Sequence, residues 1–266
     1  MRLEVEPRRD IPRALPILMP PLSVVATIIV SGIVFAAMGY KAGPTLYAFF
    51  VQPLTTQDGW AELALKAGPL AMIAAGLTAG FRANVWNIGA EGQLTAGAIA
   101  AGGVALALSD ADGVWVLPLV CLAGFAGGMA WASVPAFLRA RLGVNEILVS
   151  LMLTYVAALL LNMLVFGPWK DPEGYNFPQS KMFSDSALLP NILPGTRLTL
   201  GVLIEFLVPV GLWFVLSRSL LGFRIRTLGA APAAARYSGV REGKIVWIVL
   251  LSGGGLAGLA GAFEIT

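Results

Sequence analysis

The sequence predicts an all-α, polytopic integral membrane protein, a bundle of about seven transmembrane helices. Composition is the first observation behind this. Of 266 residues, 57% are hydrophobic and only 12% are charged, whereas soluble domains run at about a quarter charged. The second is a mean hydropathy of +0.79, spread over seven apolar runs of the length a bilayer core requires, about 20 residues each. The third is that Lys and Arg cluster between the runs rather than within them, the pattern of topology signals and not of a nucleic-acid surface.

Taken in order, the runs fall at 15–38, 63–81, 88–108, 114–134, 147–166, 198–217 and 245–264. The first follows Arg8, Arg9 and Arg13. It is too long for a cleaved signal segment and six more runs follow, so it reads as an uncleaved first span. Segment 39–62 contains YAFFVQPL, which is apolar but too short to span and suggests a re-entrant piece. Segment 167–197 is polar and Pro-rich, the composition of a lid or docking surface, and segment 218–244 carries six basic residues. No stretch between spans is large enough to fold alone, so residues 1–266 read as a single transmembrane domain.

With the N-terminus in the cytoplasm, the inside segments hold 13 basic residues and the outside segments the remaining 5 of 18. The bias of Lys and Arg toward cytoplasmic loops sets orientation. The N-terminus is therefore expected inside and the last residues outside.

Two absences narrow the chemistry. There is no His, and Cys121 is the only cysteine. A His/Cys metal site, a Ser–His or Cys–His nucleophile and an intramolecular disulfide have no residues to build them. Cys121 lies in an apolar run, as a small packing residue would. No G-x-x-x-x-G-K-[ST] phosphate cradle is present, and the run Gly253, Gly254, Gly255 lacks a following Lys. ATP binding by this chain is not expected, nor is any catalytic constellation, cofactor or metal.

The densest polar stretch near a membrane entry is FRANVWNIGAEGQ, residues 81–93. Asn84, Asn87, Glu91 and Gln93 alternate there with Gly89 and Gly92. A carboxylate in hydrocarbon is costly, so Glu91 should face protein, a cavity or water, while the glycines permit close backbone approach. Two readings stand side by side: an interfacial helix start capped by Asn87, or part of a polar path. Glu205, four residues before Pro209 within the sixth run, is a second path candidate. Asn145 and Glu146 at the start of the fifth run form a gate candidate or a solvated interfacial pair. Gly76/Gly80, Gly124/Gly128 and Gly254/Gly258 have the small-xxx-small spacing of helix packing. Trp60, Trp86, Trp115 and Trp169 lie near span ends as interfacial anchors.

Asn87, Ile88, Gly89, Ala90, Glu91, Gly92 and Gln93 resemble the N-I-G-x-E-G-Q signature of the permeases of ATP-binding-cassette (ABC) importers serving ribose-type sugars, branched-chain amino acids and nucleosides. Phe81, Arg82 and Asn84 resemble the nucleoside and purine branch. LGVNEILVSLMLTY, residues 142–155, is similar to that branch's V-N-E-x-(6)-L-N-Y pattern, with Thr154 where Asn is usual. LGFRIRTLGAAPAAARYSGV, residues 221–240, resembles the cytoplasmic loop G-x-R-x-R-A-x-G-x-N-P-x-A-A-x-x-x-G, with Thr227 and Ala231 replacing Ala and Asn.

The resemblance implies a non-enzymatic permease subunit in a bacterial-type plasma membrane. It would translocate a small polar solute of nucleoside or purine type, or else a sugar or branched-chain amino acid. Implied partners are ABC ATPase subunits, a second homologous permease subunit and an extracytoplasmic solute-binding lipoprotein, besides the lipid bilayer; nucleic acid is not among them. The family's C-terminal spans are expected to be missing from this chain. The 218–244 loop should contain a short helix, with Pro232 in its first turn and Gly239 as its stop. Gly229, Ala230, Ala231, Pro232, Ala233, Ala234, Ala235 and Gly239 would then make the ATPase coupling contact. An ion-coupled secondary transporter, titrating at Glu91 and Glu205, is the alternative.

Overall fold

The computed structural model describes residues 15–266 apart from Asn176. Arg2, Arg8, Arg9 and Arg13, which contribute to the expected orientation, lie outside the described residues. The described residues form helices and short turns, with two isolated bridges, Lys170 to Ser180 and Asn191 to Thr199, in place of strands. The chain divides into two compact units, residues 1–63 and 64–266.

In the first unit, α1 (Leu15–Ala37) has no charged residue and carries Pro20 and Pro21. The hydroxyls of Ser23 and Thr27 donate to the carbonyls of Met19 and Ser23, both at 2.8 Å, so these polar groups are satisfied within the helix. The re-entrant expectation for YAFFVQPL resolves into two short helices, α2 (Ala42–Phe50) and α3 (Gln52–Thr55), split at Val51. Phe49 of α2 stacks on Phe35 of α1 with ring centroids 5.6 Å apart.

The second unit holds most of α4 (Gln57–Arg82), then α5 (Ala90–Ala107), α6 (Val116–Leu142) and α7 (Glu146–Phe166). After these come α8 (Leu200–Arg218), α9 (Leu220–Ala230), α10 (Pro232–Tyr237) and α11 (Glu242–Ile265). Among the described residues, six helices are long and apolar enough to cross a membrane: α1, α4, α6, α7, α8 and α11. The third expected run, 88–108, forms α5, which is not among these six; its 18 residues carry Glu91 and Gln93 in the first turn and are otherwise mostly Ala and Gly. It packs against α6, α7 and α11.

The core is α5, α6 and α11. With no solvent to drive helices together in lipid, packing and close backbone approach hold them. Gly124 and Gly128 of α6 lie against Gly254 and Gly258 of α11, so two expected small-residue motifs face each other; a Cβ on Gly128 would sit 2.7 Å from the Gly258 Cα. Gly76 of α4 meets Gly253, where the same construction gives 3.1 Å to its Cα. Trp169, expected as an interfacial anchor, instead covers Gly102 and Gly103 of α5. At the other end of the bundle, Ile225 and Leu228 of α9 and Ala235 of α10 join Val246, Val249 and Leu250 of α11 in one buried cluster.

The short helix expected in this loop is present as α10, with Pro232 at its start and Gly239 just past its end, and a further helix, α9, precedes it. Gly229 and Ala230 end α9, Ala231 breaks the helix at φ −148° and ψ 80°, and α10 starts afresh at Pro232. Gly239 has φ +81°, the left-handed conformation in which a helix ends on glycine.

Candidate functional site

Between α4 and α5 the chain does not continue as helix. Asn84 takes a left-handed turn with φ 57°, which Asn tolerates better than most residues. Residues 85–89 are non-helical, with Val85, Asn87 and Gly89 buried and Trp86 and Ile88 exposed. Non-helical backbone at a bundle end leaves its N–H groups without helical partners. Such backbone is tolerated at membrane depth only where protein or a wet cavity satisfies it.

Here α7 satisfies it. Trp86 N–H donates to Glu146 Oε1 at 3.0 Å and Ile88 N–H donates to Ser150 Oγ at 3.3 Å. Glu146 is 2% exposed, so the expectation of a solvated interfacial carboxylate is corrected. It lies in the first turn of α7, where negative charge suits the helix dipole, and Arg139 of α6 forms an ion pair with it. Asn145 caps the same helix by accepting from Ile147 N–H at 2.9 Å.

Asn87 and Gln93 form a reciprocal amide pair. Asn87 Nδ2 donates to Gln93 Oε1 at 2.8 Å, and Gln93 Nε2 donates to Asn87 Oδ1 at 3.2 Å. Asn87 Oδ1 also accepts from Gly89 N–H at 3.1 Å. The N-cap position of α5 is Gly89 rather than Asn87, so Asn87 braces the approach to the helix. Gly89 and Gly92 are required by contact: a Cβ would meet Ser150 Cβ at 2.7 Å in one case and Thr154 Cα at 2.7 Å in the other.

The motif 81–93 and the motif 142–155 thus meet along one seam. Asn84, Trp86, Arg139, Asn145 and Glu146 border a cavity of about 340 Å³ at its edge. Glu91 is not in this network; it projects from the first turn of α5 and is exposed. Arg139, Ser150 and Trp86 were not among the expected site residues. The signal for Arg139 was its position four residues before a helix-ending Gly143 and seven before Glu146, across a break too short to separate them.

Glu205 lies elsewhere, in α8, 2% exposed. Its carboxylate occupies the space left by the missing side chain of Gly68 in α4. It borders a second cavity of about 300 Å³, also lined by Lys66, Arg197, Phe263 and Glu264. Of the expected coupling residues, Ala231, Pro232, Ala233, Ala234 and Gly239 are exposed and Ala235 is fully buried. Gly229 packs on the backbone of Arg82 and Ala83. Among the described residues no cluster of three or more His, Cys, Asp or Glu could hold a metal ion.

A family model described as branched-chain amino acid transport system, permease component, matches residues 59–266. The chain belongs to this permease family. It is 37% identical over its whole length to a glucose ABC transporter permease of Haloferax volcanii, covering 72% of that protein. It is 34% identical to a guanosine ABC transporter permease of Bacillus subtilis over 69% of this chain and 53% of that one. A nucleoside ABC transporter permease of Lactococcus lactis subsp. cremoris is 25% identical over 92% of this chain and 69% of its own length. No solved structure matches. The resemblance read from the three motifs is thereby borne out, and the chain is a multi-pass membrane permease.

Proposed function

We propose that this chain is the substrate-translocating subunit of an ABC importer for a neutral sugar or nucleoside, working as one permease domain in a bacterial-type plasma membrane. The observation that carries the reading is the seam where the non-helical 85–89 backbone is held by Glu146 and Ser150. A non-helical segment fastened by side chains of another span can rearrange without exposing its N–H groups to lipid. Asn84, Asn87, Glu91 and Gln93 belong to the solute path, and Asn145 with Glu146 to its gate. The relatives named for glucose, guanosine and nucleosides support the substrate class.

Energy comes from separate ATPase subunits, because this chain has no phosphate cradle and is itself no enzyme. The contact to the ATPase is α10 and its flanks. Ala233 and Ala234 present a small, exposed surface there, while Ala235 ties it to the core. A second permease subunit and an extracytoplasmic binding lipoprotein complete the importer.

The test is uptake of guanosine or glucose by the complete importer in proteoliposomes. Uptake should require ATP on the ATPase side and persist when proton and sodium gradients are collapsed. Ala234→Trp should abolish both uptake and retention of the ATPase, since an overlarge side chain disrupts a fitted contact. Gly229→Trp is unsuitable as a companion, because Gly229 already touches the backbone of Arg82. Uptake driven by an ion gradient without ATP would establish the ion-coupled alternative instead.

A further inference from the structure

Glu205 is a carboxylate within a span, with its Oε1 buried and without a hydrogen-bond partner. Buried polar groups are nearly always paired, and one that is not calls for a ligand or a functional role. Glu205 is one of the residues lining a cavity of about 300 Å³, at the small end of the range of pockets that enclose small molecules, roughly 300–1,000 Å³. Four ionisable side chains line it: Lys66, Arg197, Glu205 and Glu264. Lys66 and Glu264 pair at 3.0 Å. Two charges of each sign, with acceptor and donor groups side by side, favour neither a cation nor an anion. They suit a neutral molecule that both donates and accepts. Phe263 adds an aromatic face to the same lining.

We infer that this cavity is a solute-binding station for a neutral, polyhydroxylated ring, with Glu205 accepting hydrogen bonds from its hydroxyls and Lys66, Arg197 and Phe263 completing the contact. The inference rests on the reading of the chain as an importer permease and assigns that path a second station, distinct from the seam at Glu146. Gly68 is the positioning element. It leaves room for the carboxylate, whose Cβ lies 3.3 Å from where a side chain on Gly68 would begin. A hydroxyl recognised by a buried charged acceptor discriminates strongly against an analogue lacking it, because the acceptor is then left unpaired.

The test uses the complete importer and two probe pairs: guanosine with 2′,3′-dideoxyguanosine, and D-glucose with 2-deoxyglucose. Wild type should prefer the hydroxylated member of the pair it transports. Glu205→Gln should raise the half-saturating concentration of that member by about tenfold or more and erase the preference, as loss of a hydrogen bond to a charged group does. In parallel, Thr199→Cys, on the cavity lining, should react with an impermeant thiol reagent, and the transported probe should slow that reaction. This second measurement decides the matter if Glu205→Gln fails to assemble. Uptake with unchanged half-saturation and preference in Glu205→Gln, or no protection of Thr199→Cys by a transported probe, overturns the station alone. If neither probe pair enters through the wild-type importer, the substrate class falls and the station with it.

Discussion

At the scale of single residues, the seam depends on one buried carboxylate with two obligations. Glu146 accepts from Trp86 N–H and pairs with Arg139, whose side chain is 28% exposed. Removing either partner of a largely desolvated pair leaves the other uncompensated, which costs more than the pair itself contributes. Arg139→Ala and Glu146→Gln should therefore each lower the unfolding midpoint of the purified protein. The double variant should be less destabilised than their sum, with a coupling of about 1–3 kcal/mol. Strict additivity would mean that the two side chains do not act as a unit. The polar residues of 81–93 were legible in the sequence because polar groups at a membrane entry are conspicuous. The bracing of Asn87 by Gln93 was not, since six residues apart on a regular helix would place them on different faces. Only the non-helical backbone from Asn87 to Gly89, ahead of α5, brings the amides together.

At the scale of elements, the glycine spacings in α6 and α11 could be read in advance because lipid-phase packing selects small residues at fixed intervals. What could not be read was which glycine stripe meets which, since spacing carries no address. The break at Ala231 has a different origin. Ala230, Ala231, Ala233, Ala234 and Ala235 favour helix, yet Pro232 cannot continue α9 because its ring and missing N–H interrupt the preceding turn. Pro232 is then the first residue of a new helix, and Ala231 stands at the N-cap position with no side-chain bond to offer. Asn is among the best residues at that position and Ala among the poor ones, by typically about 1 kcal/mol. Ala231→Asn is expected to stabilise α10 by about that amount. Slower hydrogen exchange of the amides of Ala234 and Ala235, with the core helices unchanged, is the measurement. Unchanged exchange would mean that α10 is held by burial of Ala235 alone.

At the scale of the whole molecule, helix ends sort into two sets that agree with the charge pattern. The C-terminal ends of α4, α6 and α8 and the starts of α5, α7 and α11 carry Arg82, Arg139, Arg141 and Arg218 together with Arg241 and Lys244. The opposite ends carry Lys66, Lys170, Lys181 and Arg197. Basic residues are retained on the cytoplasmic side, so the end holding the seam and α10 is expected to face the cytoplasm, where an ATPase could reach it. Two exposed positions separate the orientations cleanly. Met182, 89% exposed, lies in the segment between α7 and α8, and Ser238 follows α10 at the other end. Cys121, inside α6, is the only native thiol and serves as the background control. In intact cells an impermeant thiol reagent should label Met182→Cys and leave Ser238→Cys unmodified until the membrane is permeabilised. The reverse pattern would place α10 outside the cell, where no ATPase could dock, and would remove the coupling assignment together with the orientation.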